Sequence, residues 1–564
     1  MYSSQVTTQA VIKVALLFIM VALILKVAAM YAMSVDYDTN YYLNIGSNFI
    51  ERGELTPYMW RLGADTNIIA GSGTGYGIYL LNFWFKMFGL SLFSGYIFMY
   101  ALGIIALVVL FFLTKMWWQN TTAAWVGITF ASLTTIYINI FYIRMDTPAI
   151  VASSSLLLFH IYAVRQDKKW LHFVLGILAI LTAEIHIQAL LYIGALSFYY
   201  FWNHIQVLRQ EQRFWKVSPS LMFFMGAFIA GILYLIVHVL PDPEAYFIIS
   251  KNCFYCSPSS IFKEIRRYLL LIQVYKVEAL IIALALGIMI LRRSKADKHI
   301  LLLLTGYAIV QGIISPPAQA IYLTHMLPLM TLVVGGFFIK EETETDKETM
   351  SHRQLILITI VASILASGQL VRISEDLAIN DGHNYDGIEY IHAYVPHDAV
   401  VVGLPPYFSQ LIEYPNFLSM SSGENYGIVL RDESYLTFYR REQPQVFIGE
   451  SANGTNEGFI FYMNENNFQQ VRDRVWVAAS LLESIQNDAI EPTVSLSVSE
   501  AQIRFNDCIT LEWAVENAEF VTLNGRNVDT VGAQDVCLLT NTNYTLRAYW
   551  VGEFVEEHIR VVVD

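Results

Sequence analysis

Hydrophobic and polar residues fall in blocks along this chain. Between residues 10 and 372, apolar runs recur at about 10–33, 94–114, 121–142, 147–164, 170–184, 187–203, 218–240, 277–291, 299–315, 318–338 and 354–371. A helix needs roughly 17–25 apolar residues to cross a bilayer, so this pattern predicts about eleven membrane-spanning helices, several of them short. Two stretches between the first and second runs read differently. In Met33-Ser-Val-Asp36-Tyr-Asp38-Thr-Asn-Tyr-Tyr42-Leu-Asn-Ile45-Gly-Ser-Asn-Phe49-Ile50, the apolar residues Tyr42, Ile45, Phe49 and Ile50 share one face at helical spacing. Gly75-Tyr-Gly-Ile-Tyr-Leu-Leu-Asn-Phe-Trp-Phe-Lys-Met-Phe-Gly89 is rich in aromatic residues and too short to span. Both predict helices lying in the membrane interface within the first outer loop.

Beyond residue 372 the period changes. Strand-like runs (Ala399–Gly403, Gln445–Ile448, Gly458–Tyr462) mix with helical ones such as Asp386–Tyr394, which predicts a small α/β domain. From 491 onward the runs are strand-like throughout, with Asn524-Gly525 marking a hairpin turn. Short strands at this spacing predict a β-sandwich. The expected organisation is a polytopic α-helical membrane domain over 1–372, an extracytoplasmic α/β domain over 373–490 and a β-sandwich over 491–564.

Composition agrees. Of 564 residues, 55% are hydrophobic and 15% charged, which a multi-span membrane protein requires and a soluble one does not tolerate. Residues 1–371 carry 25 Lys and Arg against 19 Asp and Glu; residues 372–564 carry 10 against 29 and no lysine. An acidic C-terminal part excludes nucleic acid as its partner, because phosphate binding needs the opposite sign. Basic residues Lys115, Arg165, Lys168, Lys169, Arg209, Arg213, Lys216, Arg292, Arg293, Lys295 and Lys298 cluster in alternate loops, while the turns near 185 and 316 hold none. By the positive-inside rule the N-terminus is cytoplasmic, and an odd number of spans leaves the C-terminal domains outside. All four cysteines then lie outside, where disulfides persist. Cys508 with Cys537 is the expected bridge. Cys253-x-x-Cys256 is a small-loop disulfide or half a metal site, with no second pair nearby.

Ionisable groups at membrane depth are expensive, so each is a candidate for function. Asp36 and Asp38 stand where the chain leaves the first span. Arg144-Met-Asp146 ends the third, and Glu184-Ile-His186 forms an outer turn between the fifth and sixth. All three sites face the same side. The competing structural readings are an N-cap for Asp38, a local ion pair for Arg144 with Asp146, and packing of His186 against Glu184. Tyr322 and His325, near the outer end of a later span, are weaker candidates. Gly71-Ser-Gly-Thr-Gly-Tyr-Gly77 lacks the Gly-Lys-Ser/Thr of a phosphate-binding loop and the central valine of a potassium filter. It reads as a turn in a substrate-facing loop.

The order of these features resembles the GT-C superfamily of membrane glycosyltransferases, in the branch of protein O-mannosyltransferases, the aminoarabinose transferase of lipid A and RgtA/B/C/D-like enzymes. In that branch an acidic residue after the first span is followed by Tyr and then by an in-plane helix; here these are Asp38 with Tyr41 and Tyr42. Arg144-Met-Asp146 matches an Arg-x-Glu/Asp at the outer end of the third span, and Thr324-His-Met-Leu-Pro-Leu-Met330 is similar to a late signature. The lipid A enzyme's Glu-Lys-Pro-Pro is replaced by Ser72-Gly-Thr-Gly-Tyr76, and the basic residue before the late signature by Ile321. The last 75 or so residues resemble bacterial Ig-like domains, with Trp513, Asn517-Ala518, Gly525 and Tyr544 in the expected pattern.

The resemblance implies a sugar donor on a polyprenyl phosphate at the outer leaflet of the plasma membrane. The acceptor would be a hydroxyl on a glycan, lipid or protein. Asp38, with Asp36, would act as catalytic carboxylate. Arg144 would meet the leaving phosphate, with Arg266, Arg267 or Lys263 as alternates, and Tyr42, Asp146 and His186 would complete the substrate site. Asp36, Asp146 and His186 could hold a divalent metal ion. Two other classes compete: a transporter or flippase of lipid-linked glycans, and a surface-binding protein whose acidic ectodomain does the work.

Overall fold

The computed structural model describes residues 5–6, 8–32, 37–55, 75–138, 142–211, 218–241, 243, 269, 272–314, 320–337, 350–380, 387–420, 433–449, 457–472, 474–504, 507–551 and 553–563. The chain divides into two compact units, Met1–Asn384 and Tyr385–Asp564.

In the first unit each apolar run becomes a helix. They are α1 (Thr8–Ala32), α4 (Leu92–Trp118), α5 (Thr121–Leu133), α6 (Asp146–Gln166), α7 (Lys169–Ala183), α8 (Leu190–Glu211), α9 (Pro219–Tyr234), α10 (Lys276–Arg292), α11 (Lys295–Ile314), α12 (Leu327–Gly336) and α13 (His352–Asn380). Between α1 and α4 lie α2 (Tyr37–Arg52) and α3 (Gly75–Phe88). Among the described residues, α1, α4, α6, α9 with its continuation to Val237, and α13 to Glu375 are long and apolar enough to cross a membrane; α5, α7 and Leu323–Gly336 are shorter apolar helices. α13 runs on past residue 372, so a domain boundary at that position falls inside a helix.

Short connections set neighbouring helices side by side. Gln119 takes a left-handed conformation after α4, and Asn120 then caps α5 by accepting the Ala123 N–H at 2.8 Å. Asp167 and Arg293 make the same left-handed turn after α6 and α10. α7 and α9 meet backbone to backbone. A Cβ on Gly176 would stand 2.1 Å from the Phe223 carbonyl, and one on Gly226 2.0 Å from that of Phe173. This is the small-residue contact that packs helices in lipid.

α5, only 13 residues, ends within the bundle. Irregular backbone at that depth survives only if its polar groups are satisfied. Lys26 of α1, fully buried, donates to the Ser132 carbonyl at 2.5 Å. Gln369 of α13 donates to the carbonyls of Ser132 and Thr134 at 3.2 and 3.1 Å. Glu278 of α10 accepts the Thr135 N–H at 2.9 Å and the Thr135 hydroxyl at 2.7 Å. Three distant helices thus cap one broken one.

The second unit holds a mixed five-stranded sheet and a sandwich. β1 (Val401–Gly403) runs parallel to β2 (Leu418–Ser419) and β3 (Val446–Ile448); β3 then pairs antiparallel with β5 (Val475–Val477), and β5 with β4 (Gln469–Arg472). Helices α14 (Ile388–Tyr394), α15 (Tyr435–Glu442), α16 (Glu457–Glu465) and α17 (Ala479–Asp488) alternate with these strands, giving the expected α/β character.

The sandwich has one sheet of β6 (Thr493–Val498), β8 (Cys508–Glu516) and β11 (Val531–Cys537). The other holds β7 (Gln502–Ile503), β9 (Phe520–Leu523), β10 (Arg526–Val528), β12 (Thr542–Trp550) and β13 (Glu553–Val563). Leu511, Trp513, Val521, Leu546 and Val561 fill its core. Asn524 and Gly525 both have positive φ, 49° and 80°, as a two-residue hairpin turn with the right-handed strand twist requires. The Cys508–Cys537 disulfide is present, and it joins paired positions of neighbouring strands β8 and β11.

Candidate active site

The site is framed by hydrogen bonds between segments that are far apart in sequence. The Ile143 N–H donates to the Thr39 hydroxyl at 3.2 Å, tying the segment before α6 to the start of α2. The Tyr76 N–H donates to the Glu184 carbonyl at 3.3 Å, tying α3 to the turn after α7. Gly77 lets α3 come this close, since a Cβ there would sit 2.5 Å from Met145 Sδ and 3.3 Å from the Ile185 carbonyl. The Tyr192 hydroxyl donates to the His325 carbonyl at 2.6 Å, fixing the short helical segment before α12.

On this frame the ionisable groups converge. Arg144 reaches Asp38 through Nη1 at 2.6 Å and Asp146 through Nε at 2.6 Å. The other oxygen of Asp146 accepts from His325 Nε2 at 2.7 Å. The His325 ring stacks on His186, with centroids 5.2 Å apart and planes at 18°. Asp146 and His325 are buried, and the Asp38 side chain is 34% exposed. The row therefore runs from a histidine pair, of which His325 is buried and His186 half-buried, to a carboxylate that reaches solvent.

Asp38 lies inside the first turn of α2, where the helix dipole favours negative charge. Its carboxylate turns to Arg144, which extends the expected Arg144–Asp146 pair into a three-residue bridge. His186 packs on His325, and the nearby Glu184 contributes its carbonyl to Tyr76. Tyr42 is buried, its ring edge-on to Tyr41 at 5.1 Å. Burial, and then the nearby Asp38 carboxylate, push its phenol well up, so it keeps its proton.

α2 is enclosed more completely than a single apolar face implies. Asn40, Asn44, Ser47 and Asn48 are buried along with Tyr42, Leu43 and Ile45, whereas Ile50 is exposed. α3 is amphipathic as expected, with Ile78, Leu81 and Phe85 inward and Tyr79, Leu80, Phe83 and Met87 exposed. Asp36, Arg266, Arg267, Lys263, Cys253, Cys256 and Gly71–Thr74 lie outside the described residues.

The donor chemistry at the inner end fits a divalent ion. Asp146, His186 and His325 each offer one ligand atom, and these atoms lie within 4.8 Å of one another. His186 Nδ1 accepts the Gln188 N–H at 3.2 Å, which leaves Nε2 for a ligand. Burial pushes the His186 imidazole down to about 3, so it is held neutral, the form that binds metal. A set of two imidazoles and one carboxylate is a common catalytic zinc arrangement. The expected set of Asp36, Asp146 and His186 thus has His325 beside its last two members.

No protein-family model matches the chain, and no curated protein matches it. ArnT from Cupriavidus metallidurans bound to undecaprenyl phosphate does, as a structure. The likeness covers 85% of this chain and 92% of that one at 11% identity, with a TM-score of 0.52. The chain has the GT-C fold. Also found are the apo state of the same enzyme (10% identity, 85% and 92% covered, TM-score 0.49) and the apo oligosaccharyltransferase of Archaeoglobus fulgidus (10% identity, 80% and 71% covered, TM-score 0.44).

Within this GT-C fold, the residues that sequence reasoning passed over are Lys26 and Glu278, and it ranked His325 low. A lone Lys or Glu in an apolar run was the available signal for the first two.

Proposed function

We propose that the protein is a membrane glycosyltransferase. It moves a sugar from a polyprenyl-phosphate donor to a hydroxyl acceptor on a glycan, lipid or protein, at the outer face of the plasma membrane. The observation that carries this reading is the Arg144 bridge, with partly exposed Asp38 on one side and buried Asp146 on the other.

Asp38 is the general base. It takes the proton from the acceptor hydroxyl as that oxygen bonds to the anomeric carbon. The bond from that carbon to the phosphate oxygen breaks, and its electron pair leaves with the lipid phosphate. A single displacement of this kind inverts the anomeric centre. Arg144 meets the negative charge that develops on the phosphate. A carboxylate paired with Arg is a poor base. When the donor phosphate draws Arg144 away, the exposed partner, Asp38, is the one released, and it regains basicity once the donor is in place.

Asp146, His186 and His325 would hold a divalent ion, whose chemistry there would be Lewis-acid neutralisation of phosphate charge. The aromatic face of α3, with Tyr76, Tyr79, Phe83 and Met87 beside Phe49 of α2 and Lys86 at its edge, offers an apolar trough suited to a prenyl chain.

The test is purified protein in detergent with a polyprenyl-phosphate sugar and a hydroxyl acceptor. A glycosidic product that needs both is the expected result. Movement of the donor across vesicles without any product would overturn the reading in favour of a flippase. Full function with residues 1–372 replaced by a single anchor would favour the surface-binding class.

A further inference from the structure

A cavity of about 460 Å³ opens between α8 and α11 in the membrane unit, and it shares no residue with the site described above. Small residues explain where it opens. A Cβ on Gly194 would stand 2.2 Å from Val310, and one on Gly306 2.6 Å from Phe198, so the two helices are pressed together over that stretch. Beyond it, Tyr199, Trp202 and Gln206 of α8 line the cavity with Lys295, Lys298 and His299 of α11, and side chains of this size hold the helices apart. The volume lies in the range of small-molecule sites, about 300–1,000 Å³.

Three observations define what fits. First, the charge of the wall has one sign. Lys295 and Lys298 lie one turn apart on α11, and no carboxylate is among the lining residues. The acid between them, Asp297, is buried and committed elsewhere: it accepts from Arg292 at 2.5 and 2.8 Å and from the Ser294 N–H at 3.0 Å. Like charges one turn apart repel, and an anion between them removes that cost. Second, the wall behind the lysines is held rigidly. His299 stacks on Tyr199 with centroids 4.0 Å apart and planes at 14°. Its Nε2 meets Nε2 of buried His160 at 2.9 Å. His160 Nδ1 and Nδ1 of buried His172 then meet the Tyr200 hydroxyl at 3.1 and 2.7 Å. This row fixes the His299 ring and leaves its Nδ1 for an occupant. Third, the cavity becomes apolar further along α11. Leu301, Leu302 and Thr305 line it there, opposite Trp202, an exposed indole of the kind that sits at headgroup depth.

An anion with hydrocarbon attached satisfies all three. We infer that this cavity binds the headgroup of an anionic phospholipid, with phosphate oxygens on Lys295, Lys298 and His299 and the chains leaving past Trp202 and Leu302. A basic pocket between membrane helices on the cytoplasmic side suits such a headgroup, and the positive-inside pattern puts this end of α8 and α11 on that side. Free phosphate offers the same oxygens but leaves the apolar part unused. A zwitterionic headgroup brings its own cation against the lysines. The inference does not depend on the transferase reading.

The full chain, purified in a neutral detergent and stripped of lipid, is titrated with phosphatidylglycerol and with phosphatidylcholine of the same chains by native mass spectrometry. Inorganic phosphate is then added as a competitor. Phosphatidylglycerol is expected to bind more than tenfold tighter than phosphatidylcholine. Lys295→Gln with Lys298→Gln should cost about fivefold per lysine, about 25-fold together. Lys168→Gln with Lys169→Gln removes two charges from the same side of the membrane but outside the cavity, and should leave phosphatidylglycerol affinity within about twofold. Trp202→Ala should weaken phosphatidylglycerol as well, through its chains. Equal binding of the two lipids would overturn the inference. So would an equal loss in the two double variants, which would mean a general surface field rather than a site. Inorganic phosphate that displaces phosphatidylglycerol at equal concentration would assign the cavity to a free anion and overturn the lipid.

Discussion

Two of the polar clusters that the membrane unit buries are built on opposite principles. Around the end of α5, Lys26, Glu278 and Gln369 spend themselves on backbone groups and hydroxyls of Ser132, Thr134 and Thr135. The last carbonyls of a helix have no partner of their own, so this cluster is a cap assembled from three other helices. Around Arg144 the charges answer one another, and Asp38 at the end of the row is open to solvent. A buried charge committed to backbone holds a fold together. A charge committed to another charge, beside an opening, can be exchanged for a ligand. The two clusters also touch: the Thr324 hydroxyl donates to the Ile136 carbonyl at 3.2 Å, and His325 follows directly.

The largest effect that separates them is expected at Asp38. Asp38→Asn keeps size and hydrogen bonding and removes the base, so transfer should fall about 10²–10⁴-fold, the usual share of general-base catalysis. The thermal midpoint of the purified protein should stay near that of the wild type; transfer at the wild-type rate would sink the assignment. Arg144→Gln is next. Losing one group that stabilises developing charge commonly costs about 10²–10³-fold in kcat, and single-turnover kinetics with saturating donor would show it. Unlike Asp38→Asn, this change also leaves Asp38 and Asp146 without their shared cation, so some stability should go with it.

Much of this arrangement was legible before any coordinates. Eleven apolar runs map onto helices because backbone polar groups in lipid must be satisfied within their own segment, although among the described residues only five of those helices are long and apolar enough to cross a membrane. Asp38, Arg144, Asp146 and His186 could be listed because charge at membrane depth is rare. Their convergence could not be read, since it depends on contacts such as Gly77 against Met145 that no periodicity encodes. His325 was undervalued because it precedes α12 in a short 3₁₀-helical segment with no charge pattern around it. Asn40, Asn44 and Asn48 repeat every fourth residue on α2, a polar stripe visible in the sequence. Attention to the apolar face alone hid that α2 is buried on that side as well. Lys26 and Glu278 were missed because each is one charge within a long apolar window, where averaging erases it.

The capping cluster should respond in the other currency, stability. Glu278→Ala leaves the half-buried N–H and hydroxyl of Thr135 without their acceptor, which costs about 1 kcal/mol or somewhat more. A lowered midpoint in denaturant is the expected readout. Because the cap supports the segment that carries His325, kcat per folded molecule should drop as well, though by far less than in Asp38→Asn. A variant of unchanged stability would show that water or a neighbouring group replaces the carboxylate, and the contrast between the clusters would weaken.

The smallest effect is expected on the surface of the sandwich. Arg547 bonds to Glu556 at 2.7 Å across β12 and β13 and lies 5.0 Å from the Phe554 ring centroid. By distance alone this pair is nearly the equal of Arg144 with Asp38 at 2.6 Å. The difference is solvent: Arg547 and Glu556 are 44% and 33% exposed, whereas Arg144 is 16% exposed. Water and salt screen the outer pair in both the folded and the unfolded chain. Arg547→Gln should therefore move neither the thermal midpoint nor transfer outside experimental error, at low or high ionic strength. A clear shift would show that separation alone predicts the worth of an ion pair here, and exposure would lose its standing as the reason Arg144 matters.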